Sequence, residues 1–406
     1  MHINPLIRRA ICSATGREVD AHGWSRPLGL SPHSGKPIFL EYDLERARHE
    51  LSAVPPSARG LLRYEPLLPV RDLPREYAAD VGGTATVRHD ALSRELGLDL
   101  FVKSEGSNPS GSFKDRGLAM GVALGVACGA SRFCLPTQGN AGVAAALFSA
   151  RFGLAGALVY MPEGYQGSVY HRACELFGGT VRFWGTQIAE AGARMRDDVR
   201  GELERGEFVD LSTFFEPGRL EGKKTMGLEI FEFFGAEGLP DWIVYPTGGG
   251  TGLVGIWKAF QELAEMGLLV TGRHHLPRMV AVQSEQCAPI VRAFEANLLS
   301  VEPVKSRGTI ADGLDVPAAI MGHQILRVLR ESHGTAIAVS ERAISAAFAQ
   351  YGRQGVSAGY ESAAALAGVR SLRDSGTISD GSRVLLLNTS GPFQALLRDR
   401  PHPVDR

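Results

Sequence analysis

A single lysine within a run of small residues is the first feature that could do chemistry. Lys114 lies in the segment Ser107–Gly117, SNPSGSFKDRG, at the predicted start of a helix and after residues that can turn tightly. Burial beside a cofactor would lower the pKa of such an amine and allow it to form a Schiff base. The alternative is a solvated turn in which Lys114, Asp115 and Arg116 are exposed charges.

A glycine run is the second feature. The segment TGGGTG, Thr247–Gly252, follows the predicted strand DWIVYP and precedes the predicted helix LVGIWKAF. Consecutive glycines let backbone N–H groups point at an anion, and a helix N-terminus adds its dipole. The pattern predicts a phosphate cradle, but it lacks the Gly-Lys-Ser/Thr of a P-loop, which argues against NTP hydrolysis. The alternative is a flexible loop without a ligand.

A polar turn, PTQGNAG, occupies Pro136–Gly142 between a predicted strand and a predicted helix. Thr137, Gln138 and Asn140 offer hydroxyl, amide and backbone donors, which together can hold a carboxylate. The alternative is simple N-capping of the helix by Asn140.

A second polar turn, LLLNTSGPF, occupies Leu385–Phe393 at the end of another predicted strand. Thr389 or Ser390 could form a hydrogen bond with a buried ring nitrogen. Taken alone, this segment is equally compatible with a polar turn that binds nothing.

Strands and helices that alternate from Asp99 onward must position these segments. Strand Leu98–Gly106, helix Phe113–Ala130 and helix Asn140–Gly153 are examples of the pattern. Alternation of this kind predicts an α/β fold with a largely parallel sheet. Because ligands in such folds bind beyond the carboxyl ends of the strands, we expect the four segments to converge on one site.

Composition narrows the class of protein. The chain has 406 residues, enough for two or three domains, with 43 Lys+Arg against 44 Asp+Glu and a formal net charge of -1. This balance argues against a nucleic-acid partner. Five scattered cysteines do not suggest a disulfide framework. The chain has no apolar run long enough for a membrane span, and its first residues lack the apolar core of a signal peptide, so a cytoplasmic location is expected.

Taken together, these segments resemble the fold-type II pyridoxal-phosphate (PLP) enzymes, the tryptophan synthase beta superfamily, and within it the threonine synthase subgroup. The resemblance extends from about Arg63 to about Gly391. It is strongest in NPSGSFKDRG, and it continues in EGKKTMG (Glu221–Gly227), YPTGGGTGL (Tyr245–Leu253) and ADGL (Ala311–Leu314). It implies two α/β domains, each with a parallel-rich twisted sheet, and PLP in the interdomain cleft.

The resemblance also implies a domain arrangement. Residues 51–117 and 221–406 would form the large PLP-binding domain, and residues 118–220 a small inserted α/β domain. Residues 1–50 resemble a zinc ribbon that has lost its metal ligands.

The ribbon's four ligand positions would be Cys12, Thr15, Ser31 and Ser34. Three of these side chains are hydroxyls, which bind zinc poorly, so no metal is expected.

Site residues follow from the same resemblance. Lys114 would be the catalytic Schiff-base lysine, preceded by Phe113, and Asn140 would contact the PLP 3-hydroxyl. Thr389 would face the pyridine nitrogen. The cofactor phosphate would bind to Gly248, Gly249, Gly250, Thr251 and Gly252. The substrate carboxylate would bind to Thr137, Gln138, Gly139 and Asn140. Lys224 is the first candidate for the substrate's phosphate, with Arg116, Arg172, Arg219 and Lys223 as further candidates.

The implied activity is that of a PLP-dependent carbon–oxygen lyase in amino-acid biosynthesis, which converts O-phospho-L-homoserine and water into L-threonine and phosphate. One alternative is a paralogue that performs β-replacement or β-elimination on O-phosphoserine or a similar activated amino acid, as in cysteate synthase-like or diaminopropionate-type chemistry. Another is a PLP-binding protein without turnover, against which the intact Lys114 argues. The expected partners are a small-molecule amino acid and a second copy of the chain, with no nucleic acid and no membrane.

Overall fold

The structure is a computed structural model that describes residues 1–269 and 276–397. Its strands are β1 His2–Ile3, β2 Ile7–Cys12, β3 Glu18–Val19, β4 Ile38–Tyr42, β5 Val70–Arg71, β6 Thr86–Arg88, β7 Asp99–Ser104, β8 Arg132–Pro136, β9 Leu158–Met161, β10 Thr180–Phe183, β11 Phe208–Asp210, β12 Trp242–Pro246, β13 Arg278–Ser284, β14 Thr335–Val339 and β15 Arg383–Asn388.

The α-helices are α1 Leu44–Ala53, α2 Arg75–Ala78, α3 Asp90–Leu96, α4 Lys114–Ala127, α5 Asn140–Arg151, α6 Val169–Leu176, α7 Ile188–Asp198, α8 Arg200–Glu204, α9 Gly218–Phe234, α10 Thr251–Glu265, α11 Pro289–Glu295, α12 Gly322–Glu331, α13 Glu341–Arg353, α14 Tyr360–Asp374 and α15 Phe393–Leu396. Short 3₁₀ helices occupy His22–Trp24, Gly60–Leu67, Glu105–Ser107, Glu163–Tyr165 and Asp312–Leu314.

The first of two compact units consists of residues 1–83 and 108–225. It contains a parallel four-stranded sheet in the order β10-β9-β8-β11 and an antiparallel three-stranded sheet in the order β3-β2-β4. Helix α4 presents Gly117, Gly121 and Gly125 at four-residue intervals, so they share one face. A Cβ at Gly121 would lie 2.8 Å from a Glu216 oxygen, which shows that this face lets neighbouring segments approach closely.

Among the described residues, the second unit consists of residues 84–107, 226–269 and 276–397. Its six-stranded sheet has the order β14-β13-β12-β15-β7-β6, and every neighbouring pair is parallel except β6 and β7. The core strands are rich in valine and leucine, as expected of strands buried on both faces. In the parallel part of this sheet, the carboxyl ends of β12 and β15 lie at one edge, and these ends are followed by the glycine run and by Thr389.

The α/β prediction is confirmed, and the predicted strands and helices named above match β7, α4 and α5 with shifts of a few residues at their ends. The boundaries of the two compact units differ from those of the predicted domains. Residues 51–83 and 108–117, which were predicted to belong to the large domain, lie in the same unit as the predicted small domain. The functional division into a large and a small domain stays a prediction, as does a cofactor cleft between them. Within the described residues, no helix is both long and apolar enough to cross a lipid bilayer.

Candidate active site

The loop before Lys114 is folded around the carboxylate of Asp115. This carboxylate accepts hydrogen bonds from the backbone N–H of Ser110, at 2.6 Å, and from the Ser110 hydroxyl. Gly111 has a φ of +85°, which allows the chain to turn back at that point. Burial raises the pKa of Asp115 to about 7, although the hydrogen bonds from Ser110 oppose the shift. Asp115 therefore holds the loop that leads into α4.

The residues after Lys114 are inside the protein. Asp115 and Arg116 are fully buried, and the Arg116 guanidinium donates a 2.9 Å hydrogen bond to the hydroxyl of Thr225. The alternative of a solvated Lys-Asp-Arg turn is therefore wrong. Arg116 links the first turn of α4 to α9, and this contact gives its charge a structural role.

Lys114 itself is the first residue of α4 and is partly buried. Its Nζ lies 4.5 Å from the centre of the Phe113 ring, within the range of a cation–π contact. The Nζ of Lys223, from α9, lies 4.5 Å from the centre of the same ring. The structure thus brings a second amine to the predicted anchor lysine.

The turn Thr137–Asn140 connects β8 to α5. The Thr137 hydroxyl accepts a 3.0 Å hydrogen bond from the N–H of Gly139, and a Cβ at Gly139 would lie 2.9 Å from the Tyr170 ring. Gly139 is the N-cap of α5 and Asn140 is the first helical residue, so the N-capping alternative for Asn140 is wrong. Among the described residues, the buried side-chain oxygen of Asn140 has no hydrogen-bond partner. Gln138 is partly exposed.

The start of α9 contains two adjacent lysines with different surroundings. The Nζ of Lys224 lies 2.7 Å from a Glu221 carboxylate oxygen and 4.3 Å from the centre of the Tyr42 ring. The Tyr42 hydroxyl donates to the same carboxylate at 3.1 Å. Lys223 instead interacts electrostatically with Lys114, Arg219 and Glu216. The ammonium of Lys224 therefore has a buried structural partner, whereas Lys223 belongs to the surroundings of Lys114.

A buried acidic residue near this cluster was not predicted from the sequence. Glu216 accepts a 2.9 Å hydrogen bond from the backbone N–H of Arg219, and burial raises its pKa to about 7. A carboxylate three residues before Arg219, at the start of a helix, can accept from one of the first backbone N–H groups, and this position could have drawn attention to it. Among the remaining phosphate candidates, Arg219 is buried and Arg172 is exposed.

The glycine run follows β12 as predicted. A Cβ at Gly248 would lie 2.2 Å from the carbonyl oxygen of Gly313, and one at Gly252 would lie 2.0 Å from the Tyr245 hydroxyl oxygen. Gly250 has a φ of +78°, in the left-handed region, and is the N-cap of α10. The first N–H groups of α10 precede any helical acceptor, as at every helix start. The run thus has close packing on one side and a helix N-terminus at its end, which suits an anion.

Thr389 follows β15 directly and is buried. Its backbone N–H donates to the Ser362 hydroxyl at 3.0 Å. The neighbouring Ser390 hydroxyl points to Glu361, at 3.5 Å. No hydrogen bond of the Thr389 hydroxyl is found within residues 1–269 and 276–397, so this hydroxyl is the better placed of the two for a ligand.

Comparison with models of protein families shows which family the chain belongs to. A family model described as pyridoxal-phosphate dependent enzyme matches residues 77–390, which include Lys114, the glycine run and Thr389. The chain belongs to this family. Its cofactor is pyridoxal phosphate, and it is a PLP-dependent enzyme.

Individual relatives refine the comparison. The chain is 30% identical to a threonine synthase from Methanocaldococcus jannaschii, over 87% of this chain and 85% of the relative. It is 33% identical to a threonine synthase from Halalkalibacterium halodurans, over 82% and 88% of the two chains. The fold resembles that of the processed form of threonine deaminase isoform 2 from Solanum lycopersicum, with a TM-score of 0.65, 18% identity and coverage of 91% and 94%. It also resembles O-ureido-L-serine synthase, with a TM-score of 0.63, 21% identity and coverage of 80% and 96%.

The residues present fit pyridoxal phosphate. Lys114 supplies a partly buried amine, and the glycine run supplies a backbone surface without side chains at a helix N-terminus. The buried oxygen of Asn140 lacks a donor among the described residues, and a hydroxyl of the cofactor could provide one. These are the chemical groups that an aldehyde, a phosphate and a ring hydroxyl require.

The N-terminal sheet brings the ribbon positions together. The Cys12 sulfur lies 3.0 Å from the Ser34 hydroxyl oxygen. Burial raises the pKa of the Cys12 thiol, but hydrogen bonds with Ser31, Ser34 and Thr15 outweigh burial and lower it to about 6. The described residues contain no cluster of three or more His, Cys, Asp or Glu able to hold a metal ion. The absence of a bound metal stays a prediction.

Proposed function

We propose that this protein is a threonine synthase, which converts O-phospho-L-homoserine and water into L-threonine and phosphate. The observation that carries the proposal is the partly buried amine of Lys114, close to the buried amine of Lys223 and the buried guanidinium of Arg219. An amine serves the carbon chemistry, and cations suit a substrate that carries a phosphate. The threonine synthase relatives, which align with most of the chain, support the same activity.

Lys114 has two tasks in this proposal. Its amine anchors the cofactor between turnovers, and during turnover it accepts the proton from the substrate's α-carbon and returns protons to the carbon chain. Bound pyridoxal phosphate supplies an electron sink for the carbanion that this proton transfer creates. One amine can perform both tasks only if its pKa lies near neutrality, and burial with cationic neighbours favours this.

Other residues orient the cofactor and substrate. Asn140 would accept a hydrogen bond from the cofactor's ring hydroxyl, and the run Gly248–Gly252 would bind its phosphate. Thr389 would face the ring nitrogen. Because a hydroxyl is neutral, it does not favour a protonated ring, which suits elimination and replacement better than transamination. Residues Thr137–Asn140 would bind the substrate carboxylate.

The substrate's phosphate needs a buried cation. Arg219 is the better candidate than Lys224, because the Lys224 ammonium contacts Glu221, whereas the buried Nε of Arg219 has no hydrogen-bond partner in the described part of the chain. A guanidinium can also bind phosphate with two parallel hydrogen bonds. We further propose a cytoplasmic location. We also propose that the chain forms a homodimer, which size-exclusion chromatography with light scattering would test.

The test is an assay of the purified, cofactor-loaded protein with two donors. O-phosphohomoserine should release phosphate and yield threonine, identified by mass spectrometry. O-phosphoserine, offered with sulfite, sulfide or an amine as nucleophile, should release phosphate much more slowly. Faster phosphate release from O-phosphoserine would contradict the proposal and identify a β-replacement enzyme instead.

A further inference from the structure

One buried side chain holds the residue from which the glycine run begins. Gln283, on β13, is fully buried, and its amide Nε2 donates a 3.2 Å hydrogen bond to the carbonyl oxygen of Thr247. Thr247 lies between the end of β12 and Gly248, so this contact comes directly before the proposed phosphate cradle. Burial of an amide costs free energy unless its polar atoms are paired, and here both ends of the amide have partners.

The other end of the Gln283 amide is fixed by a helix start. Its Oε1 accepts hydrogen bonds from the backbone N–H groups of Ile290, at 2.9 Å, and Val291, at 3.2 Å, in the first turn of α11. The N-cap residue of α11 is Ala288, which has no side-chain acceptor, so Gln283 takes that role from another element. Because the amide oxygen must face these two donors, the amide nitrogen must face the Thr247 carbonyl.

Thr247 itself is held by three hydrogen bonds. Its backbone N–H donates to the Val282 carbonyl, and its hydroxyl donates to the Tyr245 carbonyl, each at 2.8 Å. These two bonds tie Thr247 to β13 and β12, whereas the bond from Gln283 fixes the peptide that leads into the run. The C=O and the N–H of a trans peptide point in opposite directions. The contact with Gln283 therefore turns the N–H of Gly248 away from the Gln283 amide.

The N–H groups of the run are available to an anion. Within residues 1–269 and 276–397, the backbone N–H groups of Gly248, Gly249 and Gly250 have no hydrogen-bond partner. Successive N–H groups of this kind can form a concave anion site, provided that they point into it together. The direction of the first group depends on the peptide that Gln283 holds, so a side chain on β13 influences how the run presents its donors.

We propose that Gln283 is a positioning residue for the cofactor phosphate, because it orients the first peptide of the glycine run. The inference rests on the proposed function, in which Gly248–Gly252 bind this phosphate. Gln283 acts through the Thr247 carbonyl rather than by contact with the phosphate. Loss of its donor should therefore weaken the binding of a phosphorylated cofactor more than the binding of the same ring without a phosphate.

The experiment compares two cofactor forms that differ only in the phosphate. Pyridoxal phosphate and pyridoxal carry the same aldehyde and ring, so the dissociation constant of pyridoxal divided by that of pyridoxal phosphate gives a phosphate selectivity. Equilibrium dialysis of the purified full chain measures both constants for the wild type, Gln283→Met and Gln350→Met. Gln350 is the matched control, because it is also a buried glutamine with a paired amide, but its Nε2 donates to Glu95 of α3, at 2.7 Å.

We expect Gln283→Met to weaken the binding of pyridoxal phosphate about tenfold, the order expected for one lost hydrogen bond, and to leave pyridoxal binding near the wild-type value. Gln350→Met should keep the wild-type phosphate selectivity, even where it lowers the stability of the fold. A merely structural role of Gln283 would weaken both cofactor forms alike. An unchanged phosphate selectivity in Gln283→Met would therefore overturn the inference.

A second variant preserves the acceptor for α11 and keeps the test available if Gln283→Met does not fold. Well above the ordinary pKa of a glutamate side chain, the carboxylate introduced by Gln283→Glu can accept from Ile290 and Val291 but cannot donate to Thr247. This variant should show the same selective loss for pyridoxal phosphate. Wild-type phosphate selectivity in Gln283→Glu would also contradict the inference.

Failure of the proposed phosphate site gives a different result. If the wild type binds pyridoxal as tightly as pyridoxal phosphate, or if Gly248→Ala keeps the wild-type selectivity, the run does not bind the phosphate. If Gly248→Ala lowers the selectivity and the Gln283 variants do not, the run remains the phosphate site and only the inference about Gln283 is wrong. These measurements use no substrate, so they are independent of the assay for threonine formation.

Discussion

The glycine run and the start of α9 differ in how each can recognise an anion. At Gly248–Gly252, the proposed recognition would use the backbone, and only glycine fits there, because a Cβ at Gly248 or Gly252 would overlap atoms of Gly313 or Tyr245. At the start of α9, the proposed recognition would use buried side chains. Adjacent residues on a helix point about 100° apart, so Lys223 and Lys224 face different neighbours. Backbone recognition therefore follows from residue type, whereas side-chain recognition depends on which helix face turns inward.

The largest expected effect comes from removing the proposed anchor. Lys114→Ala should lose the covalent attachment of the cofactor and reduce turnover by roughly 10²- to 10⁴-fold, the range that acid–base catalysis by one residue contributes. Visible absorbance and borohydride fixation would measure attachment, with Lys305→Ala as the control. Persistence of the bound-cofactor absorbance band would contradict the anchor assignment.

The next largest expected effect is a difference in protein stability between variants of the adjacent residues Lys223 and Lys224. Lys224→Met removes the cation from the buried Glu221 carboxylate and should lower the free energy of unfolding by about 3–5 kcal/mol. Lys223→Met removes a buried amine whose pKa is already lowered by burial and by two cationic neighbours, and it should cost far less or stabilise the protein. Urea denaturation of both variants measures the difference. Equal losses would show that the two lysines have the same structural role.

A side chain in the glycine run should disturb cofactor binding. Gly248→Ala would place a Cβ 2.2 Å from the Gly313 carbonyl oxygen, and we expect it to cost about 1–3 kcal/mol and to weaken pyridoxal phosphate binding more than tenfold. Gly352→Ala is the matched control, because it lies in α13 with no atom within 4 Å of the new Cβ. Equilibrium dialysis of the cofactor would measure the affinity, and wild-type affinity in Gly248→Ala would count against the cradle.

The acid in the charged cluster should make stability depend on pH. Burial raises the pKa of Glu216 from 4.5 to about 7, so between these values the folded protein holds a proton that the unfolded chain has lost. This contribution to the free energy of unfolding is therefore present below pH 4.5 and is lost as the pH rises to 7, by at most about 1.4 kcal/mol per pH unit. Glu216→Gln keeps an acceptor for the Arg219 N–H and should flatten this part of the profile. Urea denaturation at several pH values measures the free energy of unfolding of both proteins. An identical dependence of that free energy on pH in the wild type and in Glu216→Gln would contradict the prediction.

The last prediction concerns zinc binding by the N-terminal sheet, where we expect the smallest effect. Purified protein should contain no stoichiometric zinc, because three of the four ribbon positions are hydroxyls. The triple variant Thr15→Cys, Ser31→Cys, Ser34→Cys should bind one zinc ion per chain, since Cys12 and Ser34 already lie in contact. Elemental analysis of both proteins tests this, and one zinc per chain in the wild type would contradict it.

Several features could be predicted from the sequence because they depend on local chemistry. Alternating strand and helix patterns predicted the α/β fold, and the glycine run, Lys114 and Thr389 each lie directly after a strand or at a helix start, as expected. Recognition of the family rested on the same segments, and the match over residues 77–390 agrees with it. Such local features can be predicted because turn geometry and helix initiation depend on nearby residue types.

Other features depended on contacts between residues far apart in the chain. The sequence could not distinguish Lys223 from Lys224, since only the packing of α9 against Gly117 and Phe113 on one side and Tyr42 on the other separates their roles. Burial of Asp115 and Arg116 could not be predicted from the sequence either, because a Lys-Asp-Arg segment has the same composition at the surface and in the core. Residue types and their spacing determined which chemical groups this chain possesses. Tertiary packing decided their charge states, because burial and the neighbours of a charged group set its pKa, and both arise only after distant segments meet.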